Sequence, residues 1–332
     1  MTADDRAYVA AMLPKVSRTF ALAIRLLPPG LEHPVGVAYL LCRIADTIED
    51  SATLSAAEKA RLLAEFRDRL GDDGAPAALV AAFAAAGADD ARLAHEADRS
   101  LGAFRRLPAA LQDAIRPHVQ EMCDGMAEFA LAHPGGTALA ALPDIPSLER
   151  YCYFVAGTVG HLLTALFALH LGLPEARRAR LAALATSFGL GLQLTNIVKD
   201  VTQDRDRGWS FVPAELCRQF GLAPEELLRP ERRPDAMRVM RALAAKARAH
   251  LDDAVRYCTL LPRTAYGIRR FCLISVFLAA RTLHLAERDE RLLDPAHRLK
   301  ITRGAVKRSL LTTTLIVPSD TLVRGYYRLL AG

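Results

Sequence analysis

Arg43-Ile44-Ala45-Asp46-Thr47-Ile48-Glu49-Asp50 emerges from the apolar run 35–44. A second acidic stretch, Gln193-Leu194-Thr195-Asn196-Ile197-Val198-Lys199-Asp200-Val201-Thr202-Gln203-Asp204, emerges from the apolar run 188–194. Side chains on a helix turn ~100° per residue, so Arg43, Asp46 and Asp50 fall within an arc of roughly 60°, and Gln193, Asn196, Asp200 and Asp204 within roughly 80°. Each stretch is expected to be one helix, apolar on one side and acidic on the other. A lone pair of carboxylates four residues apart commonly marks a solvated helix face. Two such pairs on otherwise apolar helices point instead to divalent cations. Mg²⁺ takes a few carboxylate oxygens and completes its shell with water and phosphate oxygens. Two facing acidic helices would hold several such ions against a diphosphate and neutralise it as a leaving group.

The flanking sequence supports helix throughout. Breakers fall at Pro28-Pro29-Gly30, 71–76, Pro134-Gly135-Gly136, 143–146, 172–174, Arg207-Gly208, 230–234 and Pro262, with helix-length segments between them. Aromatic residues make up only 6% of the chain, and the Ala/Leu/Arg-rich runs 77–88 and 237–254 lose little rotamer freedom on a helix. We therefore expect an all-α bundle of about eight to ten helices. The 332 residues, 52% of them hydrophobic, are enough to bury one large core, so 1–332 is expected to be a single domain. No G-x-G-x-x-G and no P-loop is present, which argues against a Rossmann or P-loop nucleotide site.

A formal net charge of +6 suits an anionic partner. Nucleic acid is not expected, because Arg and Asp/Glu are interspersed and no aromatic-basic stripe stands out. Cys42, Cys123, Cys152, Cys217, Cys258 and Cys272 are scattered without metal-ligand spacing, as expected of reduced, buried thiols. The apolar stretches 162–173 and 273–280 fall short of the ~20 residues a spanning helix needs. Residues 1–6 carry no basic-then-apolar run. The expectation is a cytoplasmic protein that touches the inner membrane surface peripherally at most. The oligomeric state is left open, a monomer included.

Five ordered elements then resemble the squalene/phytoene synthase family over nearly the whole chain. They are Ser17-Arg18-Thr19-Phe20, Arg43 with the 46–50 acidic motif, the 151–160 stretch beginning Tyr151-Cys152-Tyr153, the 193–204 motif, and Phe211-Val212-Pro213. Gly125-Met126-Ala127-Glu128-Phe129 and the residues after Asp50 resemble the squalene-forming branch more than the phytoene-forming one. The resemblance implies an isoprenoid-synthase-type bundle with a central cavity between two acidic helices. It implies that two farnesyl diphosphates are joined through presqualene diphosphate, which is then reduced by NADPH to squalene; non-reducing relatives would make dehydrosqualene, phytoene or hydroxysqualene. By position, Asp46, Glu49, Asp50, Asn196, Asp200 and Asp204 would hold Mg²⁺. Ser17, Arg18, Phe20, Arg43, Gln193, Asn196 and Lys199 would line the substrate, and Tyr151 would sit beside the first cation, where a phenol can move a proton. Lys300 and Arg303, in a segment similar to one that meets cofactor phosphates, would contact NADPH. Three residues depart from the family pattern: Lys199 for Arg, Gln203 for Glu, and Trp209 for a basic residue. Arg205 and Arg207 would then be the nearest substitutes for the missing guanidinium.

Overall fold

Short polar residues start many of these helices. Ser17 Oγ accepts the Phe20 N–H at 3.2 Å, Asp144 Oδ1 accepts the Ser147 N–H at 2.8 Å, and Thr302 Oγ1 accepts the Ala305 N–H at 3.2 Å. Ser55 and Glu58 cap one another reciprocally. Each such cap satisfies backbone donors that have no helical partner, and is worth about 1 kcal/mol.

A computed structural model describes residues 3–84, 87–133 and 139–332, apart from the side chains of Ala3, Arg18 and Thr19. The expected break at Pro134-Gly135-Gly136 lies outside the described residues. The helices, in order, begin with α1 (Ala3–Val16), α2 (Arg18–Ile24), α3 (Pro29–Asp50), α4 (Ala56–Arg69), α5 (Ala77–Ala82), α6 (Asp89–His95), α7 (Ala97–Arg105) and α8 (Ala109–Ala132). They continue with α9 (Ile145–Cys152), a π turn at Tyr153–Gly157, α10 (Thr158–Leu171), α11 (Glu175–Lys199), α12 (Val201–Asp206) and α13 (Ala214–Gln219). The chain closes with α14 (Arg233–Leu260), α15 (Tyr266–Ala286), α16 (Arg303–Ile316) and α17 (Asp320–Ala331). Seventeen α-helices among the described residues exceed the eight to ten expected, because several helices of only six or seven residues, α2, α5, α6, α12 and α13, divide the chain further.

Two compact units share the chain. The first comprises Met1–Pro134 and Thr158–Arg178. Its core is the buried face of α3, with Leu40, Leu41, Ile44 and Ile48 fully enclosed, together with Leu62 and Phe66 of α4, Phe104 of α7 and Phe167 of α10. Burying each such side chain contributes about 1.5–3 kcal/mol.

The second unit comprises Gly135–Gly157 and Ala179–Gly332. A two-residue parallel pair, β1 (Ala140–Ala141) with β2 (Trp209–Ser210), ties the start of this unit to the segment after α12. Glycines set a close approach here. A Cβ on Gly189 would lie 2.2 Å from the Ala156 carbonyl oxygen, and one on Gly191 would lie 3.1 Å from the Leu251 amide nitrogen. The small residues of 155–157 thus serve as a packing seam.

Two helical runs, Ile145–Leu171 and Glu175–Lys199, are long and apolar enough to cross a membrane by length and composition, with mean hydropathies of 1.7 and 1.4. The first is longer than expected because the π turn joins α9 to α10 without a break. About half of each apolar window, 50% and 56%, is buried inside the protein, as in a core helix.

In the second unit Arg269 is wholly buried. Its guanidinium donates to Asp320 Oδ1 at 2.6 Å and to the Leu261 carbonyl at 3.0 Å, while Arg263 reaches Asp320 Oδ2 at 2.8 Å. Burial raises the Asp320 carboxyl, but hydrogen bonds from Arg269 and Arg263 bring it below the usual carboxylate range. Its stabilisation is therefore complete above the unfolded value near pH 4 and is lost as pH falls through the lower native value. Asp320→Asn leaves a buried cation without its anion and is expected to cost about 3–5 kcal/mol at pH 7. Urea unfolding would show this, with the wild-type and variant stabilities converging in acid.

Candidate active site

In the first unit, α3 realises the arc expected of Arg43, Asp46 and Asp50. Arg43 Nη1 lies 3.8 Å from Asp46 Oδ2, and the Thr47 hydroxyl folds back onto the Arg43 carbonyl at 2.7 Å. The Arg43 fork closes on a residue that the sequence did not single out. Its Nε donates to Asp90 Oδ1 at 3.0 Å and its Nη2 to Asp90 Oδ2 at 2.7 Å. Asp90 sits in the first turn of α6, where an acidic residue is ordinary, so only the tertiary pairing reveals it. Arg43, Thr47, Asp50, Ser51, Thr53 and Asp90 line a cavity of about 440 Å³. Burial, and after it the negative charges of Asp50 and Asp90, push the Asp46 carboxyl up to about 7 against the pull of Arg43. Such a cluster favours an incoming cation. Glu49 is half-buried and Asp50 exposed on the same turn. Ser17 caps α2, and Phe20 packs on Tyr39 at 5.6 Å between ring centroids. The side chain of Arg18 lies outside the described residues.

In the second unit, the expectation of one helix carrying Gln193, Asn196, Asp200 and Asp204 needs correction. The α11 helix ends at Lys199, and Asp200 stands at φ −102°, ψ 15° before α12 begins. The Asp200 carbonyl accepts both the Gln203 N–H at 2.9 Å and the Asp204 N–H at 3.0 Å, which tightens the turn. Its carboxylate is held on both oxygens, by Gln203 Nε2 at 3.0 Å and Lys199 Nζ at 2.9 Å. Two of the departures from the family pattern thus act on one acidic side chain. Asp204 is buried, with Arg207 Nη2 3.3 Å away. Arg207 therefore supplies a cation to this motif, whereas Arg205 is engaged by the carbonyls of Pro224 and Glu225, each at 2.9 Å. Gln193 is half-buried on α11 and Asn196 is exposed.

Tyr151 lies in the last turn of α9, one residue short of its end at Cys152 and the π turn beyond, and is 6% exposed. Its ring stacks on Phe211 at 4.7 Å, and Phe211 stacks on Trp209 at 5.7 Å with planes only 7° apart. Trp209, the third departure, thus completes a column of three rings ending at Tyr151. Single-turn π insertions in helices are frequent at functional sites.

Lys300 and Arg303 are exposed on either side of Thr302, which caps α16. Just upstream, Arg298 donates to Thr202 Oγ1 at 3.2 Å and to Asp206 Oδ2 at 3.4 Å. This segment therefore rests on α12, directly beside the second acidic motif. Nothing in the sequence marked Arg298 for that contact.

Among the described residues, no three His, Cys, Asp or Glu side chains gather closely enough to enclose an ion alone. Paired carboxylates with adjacent Arg or Lys fit Mg²⁺ differently, as an ion that completes its shell with water and phosphate oxygens.

The similarities to known proteins follow the same lines. The squalene synthase of Eremothecium gossypii is 30% identical over 318 residues, covering 93% of this chain and 67% of the relative. That of Schizosaccharomyces pombe is 30% identical over 274 residues, covering 82% and 57%. That of Cyberlindnera jadinii is 29% identical over 319 residues, covering 94% and 66%. The chain thus spans 57% to 67% of the length of these relatives. The solved structure of TcSQS with the ligand BPH1237 superposes at a TM-score of 0.82 and 26% identity, over 97% of this chain and 90% of that one. A dehydrosqualene synthase, at TM-score 0.67 and 21% identity, shares the fold. The bundle is thus an all-α isoprenoid-synthase fold. Because the squalene/phytoene synthase model matches residues 13–305, the chain belongs to that family of prenyltransferase-type enzymes.

Proposed function

We propose that the chain joins two farnesyl diphosphates head to head through presqualene diphosphate and, with NADPH, reduces that intermediate to squalene. One observation supports this best: each acidic motif has its own cation within reach, Arg43 beside Asp46, Lys199 beside Asp200 and Arg207 beside Asp204. A metal–diphosphate needs this mixture, carboxylates for the ion and guanidinium or ammonium groups for the phosphate oxygens.

In this proposal Asp46 and Asp50, with Glu49 alongside, hold Mg²⁺ in the first unit, and Asp200 and Asp204, with Asn196, hold it in the second. The bound ion supplies Lewis-acid neutralisation of the departing diphosphate. Arg43 and Lys199 take phosphate oxygens, and Ser17, Arg18, Phe20 and Gln193 orient the substrate. Each half-reaction releases one diphosphate. The first half closes a cyclopropane and loses a proton; the Tyr151 phenol would receive or relay it, with Phe211 and Trp209 holding the ring in orientation. In the second half bound NADPH would supply hydride to the rearranged cation, and Lys300 and Arg303 at the start of α16 would hold the cofactor's phosphates.

The test is product identification by mass spectrometry after incubation with farnesyl diphosphate and Mg²⁺. Squalene is expected when NADPH is present, and presqualene diphosphate should accumulate without it. Dehydrosqualene, phytoene or hydroxysqualene made regardless of NADPH would overturn the reductive half.

Asp50→Asn and Asp200→Asn each remove a charge without changing side-chain size. Both variants should fold normally and lose Mg²⁺-dependent diphosphate release, and near-normal turnover at saturating Mg²⁺ would remove these residues from the metal set. Tyr151→Phe should slow squalene formation from farnesyl diphosphate by about 10²–10³, the range for one positioned acid–base group. Supplied with presqualene diphosphate, the same variant should recover much of its rate. Equal loss from both substrates would assign the phenol to both ionisations or to pocket shape.

A further inference from the structure

We infer that α16 and α17 form a docking surface for an anionic lipid bilayer. On α16, Leu311 and Leu315 are 68% and 79% exposed, and on α17 Leu322 and Leu329 are 55% and 73% exposed. The pairs are one and two helical turns apart, so each forms a line along its helix rather than a scatter of single apolar residues. On α16 the line continues toward the N-terminus as charge. Lys307 and Arg308, both exposed, fall with Leu311 and Leu315 within an arc of roughly 100°. Tyr266, 37% exposed, donates its hydroxyl to the Thr314 carbonyl at 2.6 Å, which places an amphipathic ring beside the leucines.

The charge on these helices is unbalanced. Lys307 and Arg308 form no ion pair among the described residues, whereas Arg43, Arg67, Arg106, Arg248 and Arg269 all meet carboxylates; Arg324 and Arg328 fall on the side of α17 opposite Leu322 and Leu329 and do not join the leucine line. The one acidic residue from 300 to 332, Asp320, is taken by Arg269 and Arg263. Arg303, Lys307 and Arg308 also crowd the first turns of α16, which has no acidic residue in its first turn, against the helix dipole. Cations placed unfavourably within the fold are free to meet an outside anion.

The α16 leucines, beside unpaired cations, match the two phases of an anionic bilayer, acyl chains below and charged headgroups above. Nucleic acid would satisfy the cations and leave the leucines in water. A second copy docked through the same patch would bring like charge against like charge.

Flotation with vesicles tests this. The full chain should float with phosphatidylcholine/phosphatidylglycerol vesicles at low salt, release at high salt, and stay unbound with phosphatidylcholine alone. Neutralising two cations in Lys307→Ala/Arg308→Ala should weaken partitioning about 30-fold, since each basic residue near the surface is worth roughly a fivefold change. Leu311→Ser/Leu315→Ser should weaken it at least about tenfold. Leu131→Ser/Leu169→Ser, at exposed leucines elsewhere, should leave it unchanged, and all variants should keep the wild-type melting temperature. Three results would overturn the assignment: no flotation of the wild type with anionic vesicles, equal losses in the Leu131/Leu169 variant, or a leucine variant that alters only the sedimentation coefficient by breaking self-association.

Discussion

A carboxylate half withdrawn from water is tolerable only with a cation beside it, and both acidic motifs are organised around that requirement. The α3 helix devotes one face to a tightly packed core and turns Asp46 toward the other, beside Arg43. Packing fixes the helix, the helix fixes the charges, and the charges fix which loops and helices come near. Asp90 and the start of α6 are held to α3 by the Arg43 fork. Around Asp200 the same balance is struck by Lys199 and Gln203, and around Asp204 by Arg207.

The part of this arrangement that depends on helical periodicity was legible in the sequence. Arg43, Asp46 and Asp50 share a face because α3 is regular throughout that stretch. The interruption at Asp200 was not legible: residues 197–203 contain neither Gly nor Pro, and the turn is made by backbone hydrogen bonds to the Asp200 carbonyl, with Gln203 and Lys199 holding its carboxylate. Asp90 escaped for a related reason. Its partner lies 47 positions away, and its own neighbourhood reads as an ordinary acidic helix start. Trp209 stands out in the sequence as a departure from the family pattern, but its place in a ring column is set by tertiary packing. The excess of helices over the number expected has a similar origin, since helices of six or seven residues divide what composition alone presents as continuous.

Buried structure in the second unit shows the same economy with charge and space. Arg269 is enclosed completely, yet its guanidinium has a carboxylate and a carbonyl. Gly189 and Gly191 let backbones approach where a methyl group would collide. Tyr151 stands beside a π turn with its ring stacked on Phe211, which orients it.

The Arg43–Asp90 fork also governs which anions this part of the protein can hold. Arg43 already has a bidentate carboxylate, so an incoming anion does not fill an empty seat but replaces an existing occupant. A monoanionic carboxylate or a halide offers Arg43 no more than Asp90 does, and it must also bear the entropy of its own capture. A group with higher charge density and more oxygens, such as a phosphate, gains over Asp90 at each contact. An anion reaching Arg43 would have to displace Asp90, so selection there would run by exchange rather than by size.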